Sequence, residues 1–236
     1  MSIFSILQGV INSSASNGGG GGGGGGGGTS YGSWTIQWWM KKLSPQPNAS
    51  PRVFSVGVDT SASIGYSNES GGDYIWTGGG GSGSGPITVG SIVNQWVHFS
   101  INSDGTNLYF FKNGVNLLTT SRVGPAITDS STPLYLGGDT NFHWKGRIAD
   151  FNIVKGDCLY TTNYTPPTRL TTSPNNTVLL VGGDPAAAVY TPTGTSNYNT
   201  VFDDPWSDGF DSIEFAGNTG SYLSWDGIAG FALDAQ

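Results

Sequence analysis

The chain has 236 residues, of which 36% are hydrophobic, 12% aromatic and 11% charged, with a formal net charge of −7. That apolar content supports a packed core and excludes global disorder, while the acidic balance excludes partners that need Lys and Arg to neutralise phosphate, namely nucleic acid and anionic membrane. A single cysteine, Cys158, excludes an internal disulfide and reads as a buried small apolar side chain.

In residues 1–17, Ile3, Phe4, Ile6, Leu7, Val10 and Ile11 have the spacing of one short amphipathic helix, weakened by Gly9. A helix of that length is marginal alone, so the segment reads as a docking peptide for a partner, with a frayed terminus as the alternative. The opening residues lack the basic region and small-residue cleavage site of a signal peptide, and no apolar run has the length of a membrane span. A protein acting outside a cell would then leave by another route, such as assembly into a virus particle. Residues 18–28 are all glycine, which reads as a flexible tether. Residues 1–32 together form an N-terminal arm.

Strand signals begin at Ser33. In Ser33–Lys42 the residues Trp34, Ile36, Trp38 and Met40 alternate onto one face. Pro45, Pro47 and Pro51 mark a loop, and Arg52–Val58 is a second strand. Ser63–Tyr66 and Asp73–Trp76 are weaker strands, and Gly78–Gly85 is a glycine-rich surface loop between strands. Four further runs alternate at period two: Gln95–Ile101, Asn107–Val115, Pro133–Gly138 and Trp144–Ile153. Asp104-Gly105 and Asn113-Gly114 supply the positive φ of tight hairpin turns. Pro166-Pro167 ends regular structure, Thr177–Val181 is a short apolar strand, residues 182–211 are a polar connection, and Ser212–Gly217 with Ser221–Trp225 make a hairpin. Trp34, Trp38 and Trp96 are assigned to the core by their alternation.

These pieces resemble the laminin-G-like, concanavalin-A-like jelly rolls found in secreted and phage structural proteins. The resemblance rests on Trp34-Thr35-Ile36-Gln37-Trp38-Trp39, Trp96-Val97-His98-Phe99, Leu108–Gly114, Leu134–Gly138 and Lys145–Ile153, and the run Leu159–Pro167 is like versions in marine phage proteins. It implies an all-β antiparallel jelly-roll sandwich over residues 33–236, with the arm in front of it. Family domains open with a hairpin like 212–225, which here follows the other strands, so the order implies a circularly permuted domain or a hairpin exchanged between copies. A jelly roll lacking that hairpin exposes a sheet edge and an apolar groove. Filling the groove within the same chain is favoured by effective concentration.

Related jelly-roll glycosidases carry closely spaced carboxylates. Glu69 and Glu214 are the only glutamates and neither has a carboxylate at strand spacing, so no catalytic residue is assigned. His98 reads as a strand residue and His143 has no ligand set around it. The resemblance implies two kinds of site. Calcium, the one cofactor considered, would be held by Asp139, Asn141 and Asp150, because hard cations need several oxygens. A surface glycan would stack on loop aromatics, with Tyr66, Tyr74, Trp76 and Trp144 as candidates. The functional expectation is a non-enzymatic structural and adhesive protein on a virion surface, of capsid-decoration or tail-fibre type. It would be a homo-oligomer, attached to capsid or tail proteins through residues 1–28. The alternative is an extracellular carbohydrate-binding lectin.

Overall fold

The computed structural model describes residues 32–47, 51–56, 64–69, 72–77, 87–121, 134–138, 142–168, 177–181, 198–201, 212–218 and 221–225. The apolar peptide, the polyglycine run, Asp139 and Asn141 lie outside these residues. The strands are β1 (Ser33–Lys42), β2 (Arg52–Val56), β3 (Ile64–Glu69), β4 (Gly72–Thr77), β5 (Ile87–Thr88), β6 (Trp96–Asp104), β7 (Asn107–Lys112), β8 (Val115–Ser121), β9 (Leu134–Leu136), β10 (Lys145–Lys155), β11 (Thr177–Val181), β12 (Tyr198–Val201), β13 (Ser212–Ala216) and β14 (Leu223–Trp225). They form two antiparallel sheets. The larger has the order β12-β13-β10-β1-β6-β7-β8 with β11 also on β10, and the smaller has the order β14-β9-β2-β3-β4-β5. The described residues are thus an all-strand sandwich, as the alternation requires.

The turns follow their residues. Asn113 at φ 49 and Gly114 at φ 75 join β7 to β8, and Gly105 at φ 91 joins β6 to β7. Between the sheets, Trp38 meets Phe99 at 5.5 Å on its own sheet and Phe54 of the opposite sheet at 4.6 Å. Phe151 closes this cluster against Phe54 at 5.2 Å. Full burial of each such side chain contributes roughly 1.5–3 kcal/mol.

Strand β10 carries a one-residue bulge. Gln37 pairs with Asn152 and Trp39 with Ala149, so β10 spends one more residue than β1 over that interval. Asp150 absorbs it at φ 50. At the same place the outer neighbour of β10 changes, from β13 opposite 145–148 to β11 opposite 151–154.

The expected hairpin of 212–217 with 221–225 is corrected: β13 and β14 do not pair with each other but lie in different sheets. β13 pairs with β10 from Lys145↔Ala216 to Ile148↔Ile213, and β14 pairs with β9 from Leu223↔Leu136 to Trp225↔Leu134. The segment 212–225 therefore contributes one strand to each sheet. Its anchor is Phe215, fully buried and 6.3 Å from Trp144. The ring occupies the space a side chain at Gly137 would take: a Cβ there would lie 2.1 Å from Phe215 Cδ1. Gly146 likewise leaves room for Trp144, whose ring would lie 2.3 Å from a Cβ. Arg147 donates to Glu214 at 2.7 Å. That pair is partly exposed, so the apolar contact does most of the anchoring.

Phe215→Ala is expected to lower unfolding free energy by about 3–5 kcal/mol, and Gly137→Ala to lower it through both the clash and its φ of +85. Urea unfolding with tryptophan fluorescence measures both. A Phe215→Ala midpoint equal to wild type would place β13 outside the cooperative unit.

Candidate functional site

The larger sheet has a second buried face. On β1 the residues facing away from the core, Thr35 and Gln37, are fully buried, as are Ser100, Asn102 and Asn152 on its neighbours. They are covered by a strap, residues 156–167, which crosses this face without regular structure. The Thr35 hydroxyl lies 2.8 Å from Asn102 Oδ1 and 3.0 Å from the Asp157 carbonyl, and accepts the Leu159 N–H at 2.9 Å. Tyr160 Oη donates to Gln37 Oε1 at 3.2 Å, and Trp39 Nε1 donates to the Pro167 carbonyl at 3.2 Å. Tyr160 and Tyr164 stack at 3.6 Å with their planes 6° apart. The Tyr164 backbone is seated on the β7–β8 turn, where its N–H donates to the Gly114 carbonyl at 2.9 Å. A Cβ at Gly114 would lie 1.8 Å from the Tyr164 carbonyl oxygen.

His98 sits under this strap. Asn102 Nδ2 donates to Ser100 Oγ at 3.0 Å, Ser100 Oγ is 2.8 Å from Tyr164 Oη, and Tyr164 Oη is 3.1 Å from His98 Nδ1. The series is satisfied when Ser100 donates to Tyr164 and Tyr164 donates to Nδ1, which puts the ring proton on Nε2. Burial pushes the His98 pKa down to about 3 and raises that of the Tyr164 phenol. No described carboxylate hydrogen-bonds to His98, and the group is 1% exposed. Serine and histidine here make packing, without the access or the acid that nucleophilic catalysis needs. Cys158 is partly exposed on the strap instead of buried, and burial of part of its surface raises its thiol to about 11.

Of the calcium candidates, Asp150 is buried in the β10 bulge, and Asp139 and Asn141 lie outside the described residues. Trp144 is corrected: it is fully buried against Phe215 and Gly146 and offers no surface to a ligand. Trp96, assigned to the core, is half-buried on the outward row with His98.

In the smaller sheet Tyr66 is opposite Phe54 and Ile75, Trp76 is opposite Gly65, and Tyr74 is opposite Ser67 and Thr88 in the strand register. Tyr135 is half-buried and packs edge-on against Tyr222 at 5.8 Å, so these two tyrosines stand together. The two tyrosines at 135 and 222 were not among the sequence candidates. The signal was present, since each flanks a core leucine (Leu134-Tyr135-Leu136 and Tyr222-Leu223).

Residues 26–158 match a family described as the concanavalin A-like lectin/glucanases superfamily. The chain belongs to this superfamily. Among curated relatives, an alpha-L-arabinofuranosidase from Bifidobacterium longum is 27% identical over 137 residues, covering 54% of this chain and 12% of that protein. Among solved structures, domain 4 of AbnA, a GH43 extracellular arabinanase from Geobacillus stearothermophilus in complex with arabinotriose, is similar with a TM-score of 0.46 and 18% identity. It covers 55% of this chain and 63% of that one. A protein from Bacteroides ovatus is similar with a TM-score of 0.44 and 14% identity over 84% of this chain and 55% of that one. The lectin-like sandwich described above is therefore a member of a superfamily that includes both binding and hydrolytic proteins.

The depressed His98 pKa carries a sign. The folded state holds His98 neutral down to about pH 3, whereas an unfolded histidine protonates near pH 6.5, so this contribution is full above about pH 6.5 and is lost on acidification toward pH 3. Between those limits stability falls by up to about 1.4 kcal/mol per pH unit from this group. His98→Asn should unfold with a flatter acid dependence in urea titrations at pH 7 to 4. An unchanged slope would show that His98 does not stay neutral in the fold.

Proposed function

We propose that this lectin-like sandwich is a non-catalytic binding domain that holds a glycan at Tyr135 and Tyr222, beside strand β9 of the smaller sheet. The observation that carries the reading is the edge-on pair Tyr135–Tyr222 at 5.8 Å, each ring keeping part of its surface in solvent. Partly exposed aromatic rings are the chemistry that stacks on sugar rings. The superfamily and the arabinofuranosidase relative favour carbohydrate as the ligand class. The sealed His98 cluster and the ion-paired Glu214 favour binding over hydrolysis. Calcium, on this reading, has Asp139, Asn141 and Asp150 as its candidate ligands. Affinity electrophoresis against a panel of neutral polysaccharides, with and without EDTA, tests both points. Retardation by a polysaccharide that Tyr135→Ala and Tyr222→Ala each weaken at least tenfold supports the site. Loss of that retardation in EDTA supports calcium.

A second reading concerns where the domain is displayed. The apolar peptide of residues 3–11 followed by the glycine run at 18–28 favours an arm that docks into a larger assembly. The proposal is a virion surface protein, homo-oligomeric, held to capsid or tail proteins by residues 1–28 and projecting the sandwich outward. Deleting residues 1–28 should leave the unfolding midpoint unchanged and abolish incorporation into particles. Continued incorporation would remove the anchor role.

A further inference from the structure

We infer that the fold holds a resident water molecule on the covered face of the larger sheet, bridging the side-chain amides of Gln37 on β1 and Asn152 on β10. The inference stands apart from the binding reading above and concerns the opposite sheet.

The two residues are direct partners in the β1–β10 register, which brings their Cβ atoms within about 4.5–5.5 Å. Both side chains are fully buried. Tyr160 of the strap takes one end of the Gln37 amide, donating to Oε1 at 3.2 Å. Among the described residues, the other end, Nε2, has no hydrogen-bonding partner, and neither do Nδ2 and Oδ1 of Asn152. The two amides therefore stand side by side without bonding each other. Buried amide atoms are costly to leave unpaired and are satisfied by protein or by ordered water. The place also suits an inserted molecule. Gln37–Asn152 is the last pair before the register shift that Asp150 absorbs at φ 50. A bulge bends its strand and interrupts the ladder, which opens room beside the neighbouring pair.

The orphaned atoms define the occupant. They are two NH₂ donors and one carbonyl acceptor, so it must both accept and donate. A hard cation would find one oxygen where it needs several. An anion would be enclosed without a countercharge, since the row Asn152–Gln37–Ser100–Phe111 holds no cation. Water accepts from Gln37 Nε2 and donates to Asn152 Oδ1, and buried waters make about three such bonds.

The water extends the grip of the strap. Direct bonds tie the strap to Thr35 and Gln37 of β1 and to Ser100 and His98 of β6. Through Tyr160, Gln37 and the water, the same hold passes to Asn152 of β10. Enclosed in this way, the water exchanges with bulk only when the covering chain moves.

Two measurements on the whole chain test this. A crystal structure at a resolution that orders solvent is expected to show one peak at about 2.7–3.2 Å from both Gln37 Nε2 and Asn152 Oδ1. Oxygen-17 relaxation dispersion counts waters held longer than those at the surface. That count is expected to fall by about one in Asn152→Leu, which replaces both orphaned atoms with apolar groups of similar volume. A direct Gln37–Asn152 hydrogen bond with no solvent peak would overturn the inference. So would a metal or halide at the site, identified by anomalous scattering, or an unchanged water count in folded Asn152→Leu. The wild-type density decides the matter even if the variant fails to fold.

Discussion

The grip of the strap on the larger sheet governs how the rest of this molecule can be used. Thr35 is its pivot: one hydroxyl engages Asn102 beneath it and the Asp157 and Leu159 backbone above it. Around that point a layer of Thr, Gln, Ser, Asn and His that would otherwise face water is enclosed. Most of these side chains are hydrogen-bonded within the layer, which makes their burial tolerable. The consequence is that β1 has protein on both faces. β1 thus offers no face to a ligand, whereas Tyr135 and Tyr222 beside the smaller sheet keep part of their surface in solvent.

The two sheets are held together by a few large aromatics placed where glycine makes room for them. Trp38, Phe54, Phe99 and Phe151 form the centre. Phe215 over Gly137 and Trp144 over Gly146 form the flank. Gly137 follows β9 and the Phe215 ring comes from β13, so neither segment can be repacked alone, while Trp144 and Gly146 make room for each other within one segment. This explains why Trp144 is unavailable to any ligand even though it stands just outside a strand.

Much of the fold was legible because alternation and turn chemistry agree. Trp34, Ile36, Trp38 and Met40 point inward as their spacing requires, and Asn113-Gly114 takes the left-handed conformation that its residues favour. Three strands were not legible. β5 has two residues. β8 follows a register shift that breaks its alternation and leaves Val115, Leu117 and Leu118 exposed. β12 lies in a segment with no periodicity and is defined by its pairing with β13. The site was less legible for a related reason. Period two separates two faces but does not reveal which face something else will cover. Thr35, Gln37 and Asn102 read as solvent-facing until the strap is laid over them. The bulge at Asp150 is likewise invisible to simple alternation.

The placement of β13 and β14 has a consequence for how the protein is made. Arg147 and Glu214, partners across β10 and β13, are 67 residues apart in the chain. During translation β1 through β11 leave the ribosome before either strand of the closing segment exists. Until then one flank of β10 and the free side of β9 are uncapped, and the seat above Gly137 is empty of its ring. Contacts of such long range form slowly, and uncapped strands are where nascent chains associate wrongly. Correct maturation of this protein therefore depends on shielding one sheet margin during the time taken to synthesise the polar connection.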